Sequence, residues 1–170
     1  DYFESIVRLE ANRDFGRMNP HAGEADLLAG GLYLSLGLHA EAGRIFDRLL
    51  AGPVAPSVRD RARFYLARIG YQRGYHEDAL RNLSLIQQPL VGSLEPERRL
   101  LEANVLMSLG RHADAATKLA AWNDTSGWSS YARFNLGVAL VRAGQPERGR
   151  VFLDQVGMLE SLGPALQDAL

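Results

Sequence analysis

The chain has 170 residues, of which 46% are hydrophobic, and its 19 basic and 20 acidic side chains leave a net charge of −1. Because residues 1–47 carry a net −4 and residues 48–81 a net +4, no field of one sign runs along the chain, which argues against a general nucleic-acid or anionic-membrane surface. The sequence contains no cysteine, which excludes disulfides and thiolate chemistry, and no apolar run approaches the ~18 residues of a membrane-spanning helix.

A glycine recurs through the chain at nearly constant intervals. The four copies are spaced 37, 36 and 34 residues apart, at Gly37, Gly74, Gly110 and Gly144. Each follows a segment whose apolar residues recur at helical spacing, and each precedes a second segment of the same kind. These intervals match the length of a two-helix repeat, so the sequence predicts antiparallel helix pairs copied in tandem.

The pairs follow one another in a single predicted repeat domain over residues 1–170. Its elements, in chain order, are the second helix of a cut repeat at 1–14, four helix pairs at 22–52, 57–88, 95–123 and 126–160, and the start of a further helix at 164–170. Prolines and glycines separate one pair from the next. Because the chain begins at Asp1 and both ends fall inside a repeat, we interpret it as a piece of a longer protein whose cut ends can self-associate.

The first pair carries a family pattern. The pattern resembles the tetratricopeptide repeat and runs Gly30-x-x-Tyr33-x-x-x-Gly37-x-x-x-x-Ala42-x-x-x-Phe46, followed by Pro53. The later pairs keep a small residue at the place of Gly30 but carry leucine at the place of Phe46. The resemblance covers roughly residues 22–160 and implies an all-α, right-handed superhelical solenoid, whose concave surface is lined mainly by the first helix of each pair.

Carried over by position, the resemblance implies which side chains line the concave surface. Arg68 and Tyr71 lie three residues apart and are expected to share this inner face. In the alternative interpretation Leu27, Phe64 and Phe134 are core residues, because a shift of one residue in helical phase buries an inner side chain. The mixture of aromatic, amide and arginine side chains is typical of binding hot spots. The candidate partner-binding residues are Leu34, Arg61, Phe64, Arg68, Tyr71, Gln72, Asn104, Met107, Phe134, Val138 and Arg142, with Leu27, Gly31 and Ser108 at matching positions.

Arginines concentrate at the start of the second pair. They stand at Arg59, Arg61, Arg63, Arg68 and Arg73. Because arginine forks bind carboxylates and phosphates, an acidic peptide or chain terminus is the partner that they favour, and a solvated helix face is the alternative. A receptor for chaperone tails is not predicted, because the lysine position of the tetratricopeptide carboxylate clamp holds Leu27, Phe64, Leu100 and Phe134.

No catalytic motif appears in the sequence. The chain has no G-x-S-x-G, no H-E-x-x-H, no P-loop and no dinucleotide-binding glycine pattern, and no cofactor is predicted. We therefore expect a non-catalytic module that binds a segment of a partner protein in its concave groove. The alternatives are an architectural spacer or self-association segment of a longer bacterial envelope or assembly protein and, remotely, an enzyme. The absence of cysteine and the start at Asp1 favour the bacterial periplasm over the cytoplasm.

The histidines His39, His76 and His112 are predicted not to bind a metal. They occupy the same turn of successive repeats, and ligands a repeat apart cannot all lie within the ~2 Å that a zinc ion requires. Adding zinc and then a chelator should leave the melting temperature unchanged, because only an ion that binds the folded state raises it. Differential scanning fluorimetry measures this, and a zinc-dependent rise of several degrees would contradict the expected geometry.

Overall fold

The computed structural model describes residues 22–121 and 129–157, together with the isolated positions 4, 5, 7 and 11. Helices joined by turns and short connectors make up these residues, which include no strand. The helices of the two described ranges are α1 (Ala22–Ser35), α2 (His39–Ala51), α3 (Pro56–Gln72), α4 (His76–Ser84), α5 (Leu94–Ser108), α6 (His112–Ala120), α7 (Ser129–Arg142) and α8 (Pro146–Gly157).

The all-α prediction is confirmed within these ranges. Each recurring glycine stands between two helices, from the pair α1 and α2 to the pair α7 and α8. None of the described helices combines the length and the apolar character needed to cross a bilayer. The predicted further helix at 164–170 and the connector at 122–128 lie outside the described residues, as does most of the predicted helix at 1–14.

The chain divides into two compact units. Unit 1 is Asp1–Gly92 and contains α1 to α4, and unit 2 is Ser93–Leu170 and contains α5 to α8. Within each unit the two helices of a pair pack together, and the second helix of the first pair packs against the first helix of the next. The two first helices, α1 with α3 and α5 with α7, also touch. This is the stacking of a helical repeat.

The recurring glycines share one backbone conformation. Gly37, Gly74, Gly110 and Gly144 have φ angles of 73°, 80°, 72° and 81°, in the left-handed region that glycine adopts without strain. At the second turn the Gly74 N–H donates to the Tyr71 carbonyl at 3.1 Å and the Tyr75 N–H to the Gly70 carbonyl at 2.8 Å. The same two bonds occur at the other three turns, so each first helix ends in a Schellman motif that satisfies its last carbonyls.

Small residues let the two helices of a pair approach closely. A Cβ atom at Gly30 would lie 2.4 Å from the ring of Phe46 in α2, and one at Gly137 would lie 2.7 Å from Leu153 in α8. Both distances are far below van der Waals contact. The interpretation of this position as one that requires a small side chain is therefore confirmed, whether its neighbour is phenylalanine or leucine.

The core of unit 1 includes two residues that were expected on the partner-binding surface. Leu27 and Phe64 are each only 1% exposed. Because α1 packs against α3 as well as against α2, large apolar side chains at this position are enclosed by neighbouring helices. The prediction that Phe64 lies exposed on the inner face is therefore wrong, and the alternative, that Leu27 and Phe64 are core residues, is correct.

A buried carboxylate fixes the connector that follows α4. Asp60, in the first turns of α3, is 3% exposed and accepts hydrogen bonds from the backbone N–H groups of Gln87 and Gln88 at 3.3 and 3.1 Å. Charged side chains are rarely buried unless they are paired or hydrogen-bonded. Asp60 therefore ties the end of the second pair to the beginning of its first helix.

Replacing Gly74 by alanine should destabilise unit 1 by about 1–2 kcal/mol, the cost of a left-handed conformation for a residue with a Cβ atom. The space is open at this position, so backbone strain is the cause of the loss. Gly43 is the matched control, because it also has no atom within 4 Å of a Cβ but lies inside α2. Gly43→Ala should stabilise by up to ~1 kcal/mol. Urea unfolding followed by circular dichroism measures both, and effects of the same sign would contradict the turn geometry.

Asp60→Ala should cost about 2–3 kcal/mol, because it leaves two backbone N–H groups without their acceptor. Asp47→Ala is the control, since Asp47 is an exposed carboxylate on α2 of the same unit and should change stability by less than ~0.5 kcal/mol. The free energies of unfolding come from the same urea experiment. A loss as small as that of the control would show that Asp60 does not hold the connector.

Candidate functional site

The first helices of the two pairs in unit 1, α1 and α3, have a pocket between them. Its volume is about 190 Å³. We call it the α1–α3 pocket, and its lining residues are Gly31, Leu34, Ser35, Tyr65, Arg68 and Gln72. Three of the predicted partner-binding residues, Leu34, Arg68 and Gln72, thus come together in one place.

The helical spacing of the lining residues explains the pocket. Gly31, Leu34 and Ser35 follow the i, i+3, i+4 pattern of one face of α1, and Tyr65, Arg68 and Gln72 lie along one face of α3. No atom lies within 4 Å of where a Cβ of Gly31 would be, so its missing side chain contributes open space.

Leu34 and Tyr65 form an apolar wall of the α1–α3 pocket that packs against the core. The ring of Tyr65 stacks on that of Phe46, with centroids 5.1 Å apart and planes 15° apart. Leu34 and Tyr65 both pack against the buried cluster of unit 1. Their positions are therefore set by the core, while Arg68 and Gln72 are exposed at the same pocket. The pocket combines a fixed apolar wall with guanidinium and amide donors.

Two other predicted residues of unit 1 make contacts outside the pocket. The guanidinium of Arg61 forms an ion pair with Glu24 at 2.8 Å and so links α3 to α1. The ring of Tyr71 lies 5.5 Å from that of His76, at the start of α4. The structure thus brings Arg68 together with Gln72 in the pocket, while Tyr71 packs on the neighbouring helix.

The predicted residues of unit 2 lie mostly half-buried. Asn104 accepts a hydrogen bond at 2.8 Å from the side-chain amide of Asn135, which links α5 to α7. Met107, Phe134 and Val138 are half-buried and Arg142 is exposed. Asn135 was not among the residues predicted from the sequence, because its hydrogen bond depends on the position of Asn104 in the preceding pair.

The arginine concentration of the second pair has several structural roles. Arg63 donates to the carbonyl of Leu85, the C-cap residue that follows α4, and Arg99 makes the equivalent bond at 3.0 Å to Ala121, the C-cap residue that follows α6. Arg73 lies over the ring of Tyr75, 5.1 Å from its centroid. From the sequence, these arginines were predicted either to bind a partner or to lie on a solvated helix face. In the structure, Arg61, Arg63 and Arg73 make contacts within the chain.

Two acidic side chains of the first pair of unit 2 are paired within the protein. The Arg98 guanidinium contacts Glu95 at 2.6 Å and Glu102 at 3.2 Å, and Glu102 also contacts Lys118 of α6 at 2.7 Å. The hydrogen bonds that Arg98 donates to Glu95 raise the pKa of Arg98, and the charges of both carboxylates act in the same direction. Within the described ranges no three histidine or acidic side chains are grouped so as to hold a metal ion.

No protein-family model and no curated protein sequence matches the chain. Several solved structures do resemble it. A crystal structure of MamA matches with a TM-score of 0.69 at 14% identity, over 87% of this chain and 84% of that one. A putative kinesin light chain of Podosopora anserina with nearly identical TPR-like repeats matches with a TM-score of 0.69 at 14% identity, over 94% and 87%. YrrB, described as a TPR protein with an unusual peptide-binding site, matches with a TM-score of 0.67 at 18% identity, over 94% and 84%. At these identities the likeness concerns the fold, and the chain is an all-α protein of the tetratricopeptide-repeat fold.

Proposed function

We propose that this chain is a non-catalytic protein-interaction module and that the α1–α3 pocket binds an extended segment of a partner protein. The observation that carries the proposal is the pocket itself, in which Leu34, Arg68 and Gln72 meet beside Tyr65. Binding sites typically combine an apolar surface with a few placed polar groups, and this pocket has both. The likeness to YrrB, a TPR protein with a peptide-binding site by its own description, supports the proposal.

The chemistry of the pocket favours an acidic partner. Arg68 and Gln72 offer N–H donors, and residues 48–81, which include both, carry a net charge of +4. A guanidinium binds a carboxylate through charge-assisted hydrogen bonds, which are stronger than neutral ones. Leu34 and Tyr65 provide the apolar contact for a neighbouring aliphatic or aromatic side chain. The proposed ligand is therefore a segment with an Asp or Glu next to an apolar residue.

The Ser35 hydroxyl of the pocket is bonded within its own helix. Catalysis by a serine requires a base within hydrogen-bond reach of its hydroxyl. The Ser35 hydroxyl instead donates to the carbonyl of Gly31 in its own helix, at 3.1 Å. This bond leaves the oxygen lone pairs of Ser35 able to accept a hydrogen bond from a partner backbone.

Phage display of random peptides against the whole chain tests the proposal. Selected peptides should contain Asp or Glu beside an apolar residue. Arg68→Ala should weaken their binding about 30-fold, or about 2 kcal/mol, if Arg68 is a hot spot. The melting temperature should stay within a degree or so of the parent, because Arg68 is exposed and not part of the core. Fluorescence polarisation measures the affinities.

Arg48→Ala is the matched control. Arg48 is an exposed arginine on α2, outside the pocket, so its removal changes the net charge of the chain equally. Binding should be unchanged in this variant apart from a small salt-dependent effect. Equal losses in both variants would show that only net charge matters, and full retention in Arg68→Ala would place the partner elsewhere.

A further inference from the structure

Unit 2 contains a second groove, formed by different helices of the repeat. It lies between α6 and α8 and encloses about 210 Å³. The buried side chains Leu136 and Leu140 of α7, which packs against both helices, form its floor. Phe152 and Arg148 of α8 line the side opposite α6. We call it the α6–α8 groove.

The groove exists because α6 is lined with alanine. Ala113, Ala116 and Ala120 follow the i, i+3, i+7 spacing of one helix face, so side chains that end at Cβ face the larger Phe152. An apolar cavity of ~150 Å³ is large enough to bind a benzene ring. The α6–α8 groove therefore has room for one large apolar side chain.

The apolar character of this groove is not a requirement of the repeat. Counted from the turn glycines, Arg148 and Phe152 match Asp78 and Asn82 of α4 in unit 1, and Ala120 matches Asp47 of α2. In unit 1 Asp78 is paired with Arg81 at 2.8 Å. These three positions are thus polar in unit 1, where the same helices pack, so Ala120, Arg148 and Phe152 are particular to unit 2.

Among the residues that the structure describes, no carboxylate is paired with the charge at the groove. Arg148 is the single charged residue among those that line it. In the described part of the chain its guanidinium donates to the side-chain oxygen of Gln145, which is neutral. A cationic group beside an apolar cleft is complementary to a ligand that carries an apolar group and a carboxylate side by side.

We propose that the α6–α8 groove is a second docking site. It takes a partner-protein segment that inserts one large apolar side chain between α6 and α8 and places a carboxylate on Arg148. The site belongs to unit 2 and uses second helices of the pairs as its walls, so it does not depend on the α1–α3 pocket.

Two blocked dipeptides test this site on the whole chain. Acetyl-phenylalanyl-aspartyl amide carries the proposed chemistry, and acetyl-phenylalanyl-asparaginyl amide has nearly the same shape without the charge. With labelled methyl groups, the NMR signals of Ala116, Leu136 and Leu140 should shift in a saturable way with the first probe. The dissociation constant should be on the order of millimolar for so small a ligand. The asparagine probe should bind about threefold more weakly, as expected for an exposed ion pair.

Three variants assign the effect to the groove. Thr117→Phe, at an exposed lining position of α6, should fill the groove and remove the methyl shifts with both probes. Arg148→Gln should retain weak binding and abolish the difference between the probes. Arg150→Gln is the matched control, because Arg150 is exposed on the same helix but outside the groove, and it should behave like the parent. Circular dichroism establishes that each variant is folded.

Several results would overturn the proposal. The first is an absence of methyl shifts in the parent chain at probe concentrations well above millimolar. The second is equal binding of the two probes, and the third is an equal loss in Arg148→Gln and Arg150→Gln. Sedimentation velocity decides whether the occupant is a second copy of this chain. If the parent self-associates and Thr117→Phe makes it monomeric, the groove is a self-association surface and the partner assignment is wrong.

Discussion

The structure depends on one local constraint, the left-handed glycine between the helices of each pair. The same short turn ends one helix and starts the next, since the Tyr75 N–H closes α3 and the Tyr75 carbonyl accepts the Ala79 N–H of α4 at 3.0 Å. No side chain caps the second helices at Leu38, Tyr75 or Arg111. The chain reversal therefore depends on backbone conformation and backbone hydrogen bonds, so the side chains of the turn can differ from pair to pair.

Close approach of the helices follows from that reversal. Gly30 and Gly137 remove the Cβ atoms that would collide with Phe46 and Leu153, and alanine is completely buried at the same position, Ala67 and Ala103, in the other two pairs. The large side chains are then free to fill the space between pairs. Arg63 and Arg99 also hold the helices of their pairs together. Each donates a hydrogen bond from a first helix to a carbonyl at the end of the second helix of its pair.

The two candidate surfaces use the same framework for different chemistry. The α1–α3 pocket is formed by first helices and has an exposed guanidinium and amide beside an aromatic ring held by the core. The α6–α8 groove is formed between second helices and has a mostly apolar lining. In a repeat, packing fixes the residues between helices, and the residues outside that contact are free to vary. Asp78 and Arg148, like Asp47 and Ala120, occupy matching positions outside that contact and therefore differ between the units.

The sequence by itself determined the helix pairs. Helical periodicity and the turn glycines are local properties, so the pairing was predictable. Three of the residues chosen from the family phase, Leu34, Arg68 and Gln72, line one pocket, and their binding role stays a prediction. Tertiary packing decided the rest. A residue on the edge of a helix face is exposed or buried according to the helix beside it, which is why Phe64 belongs to the core and Tyr71 lies against His76. Tyr65 lines the pocket because Phe46 of another helix holds its ring, and the alanines of α6 form a groove because α8 places Phe152 opposite them. These contacts join residues that are distant in the sequence, so no local sequence pattern predicts them.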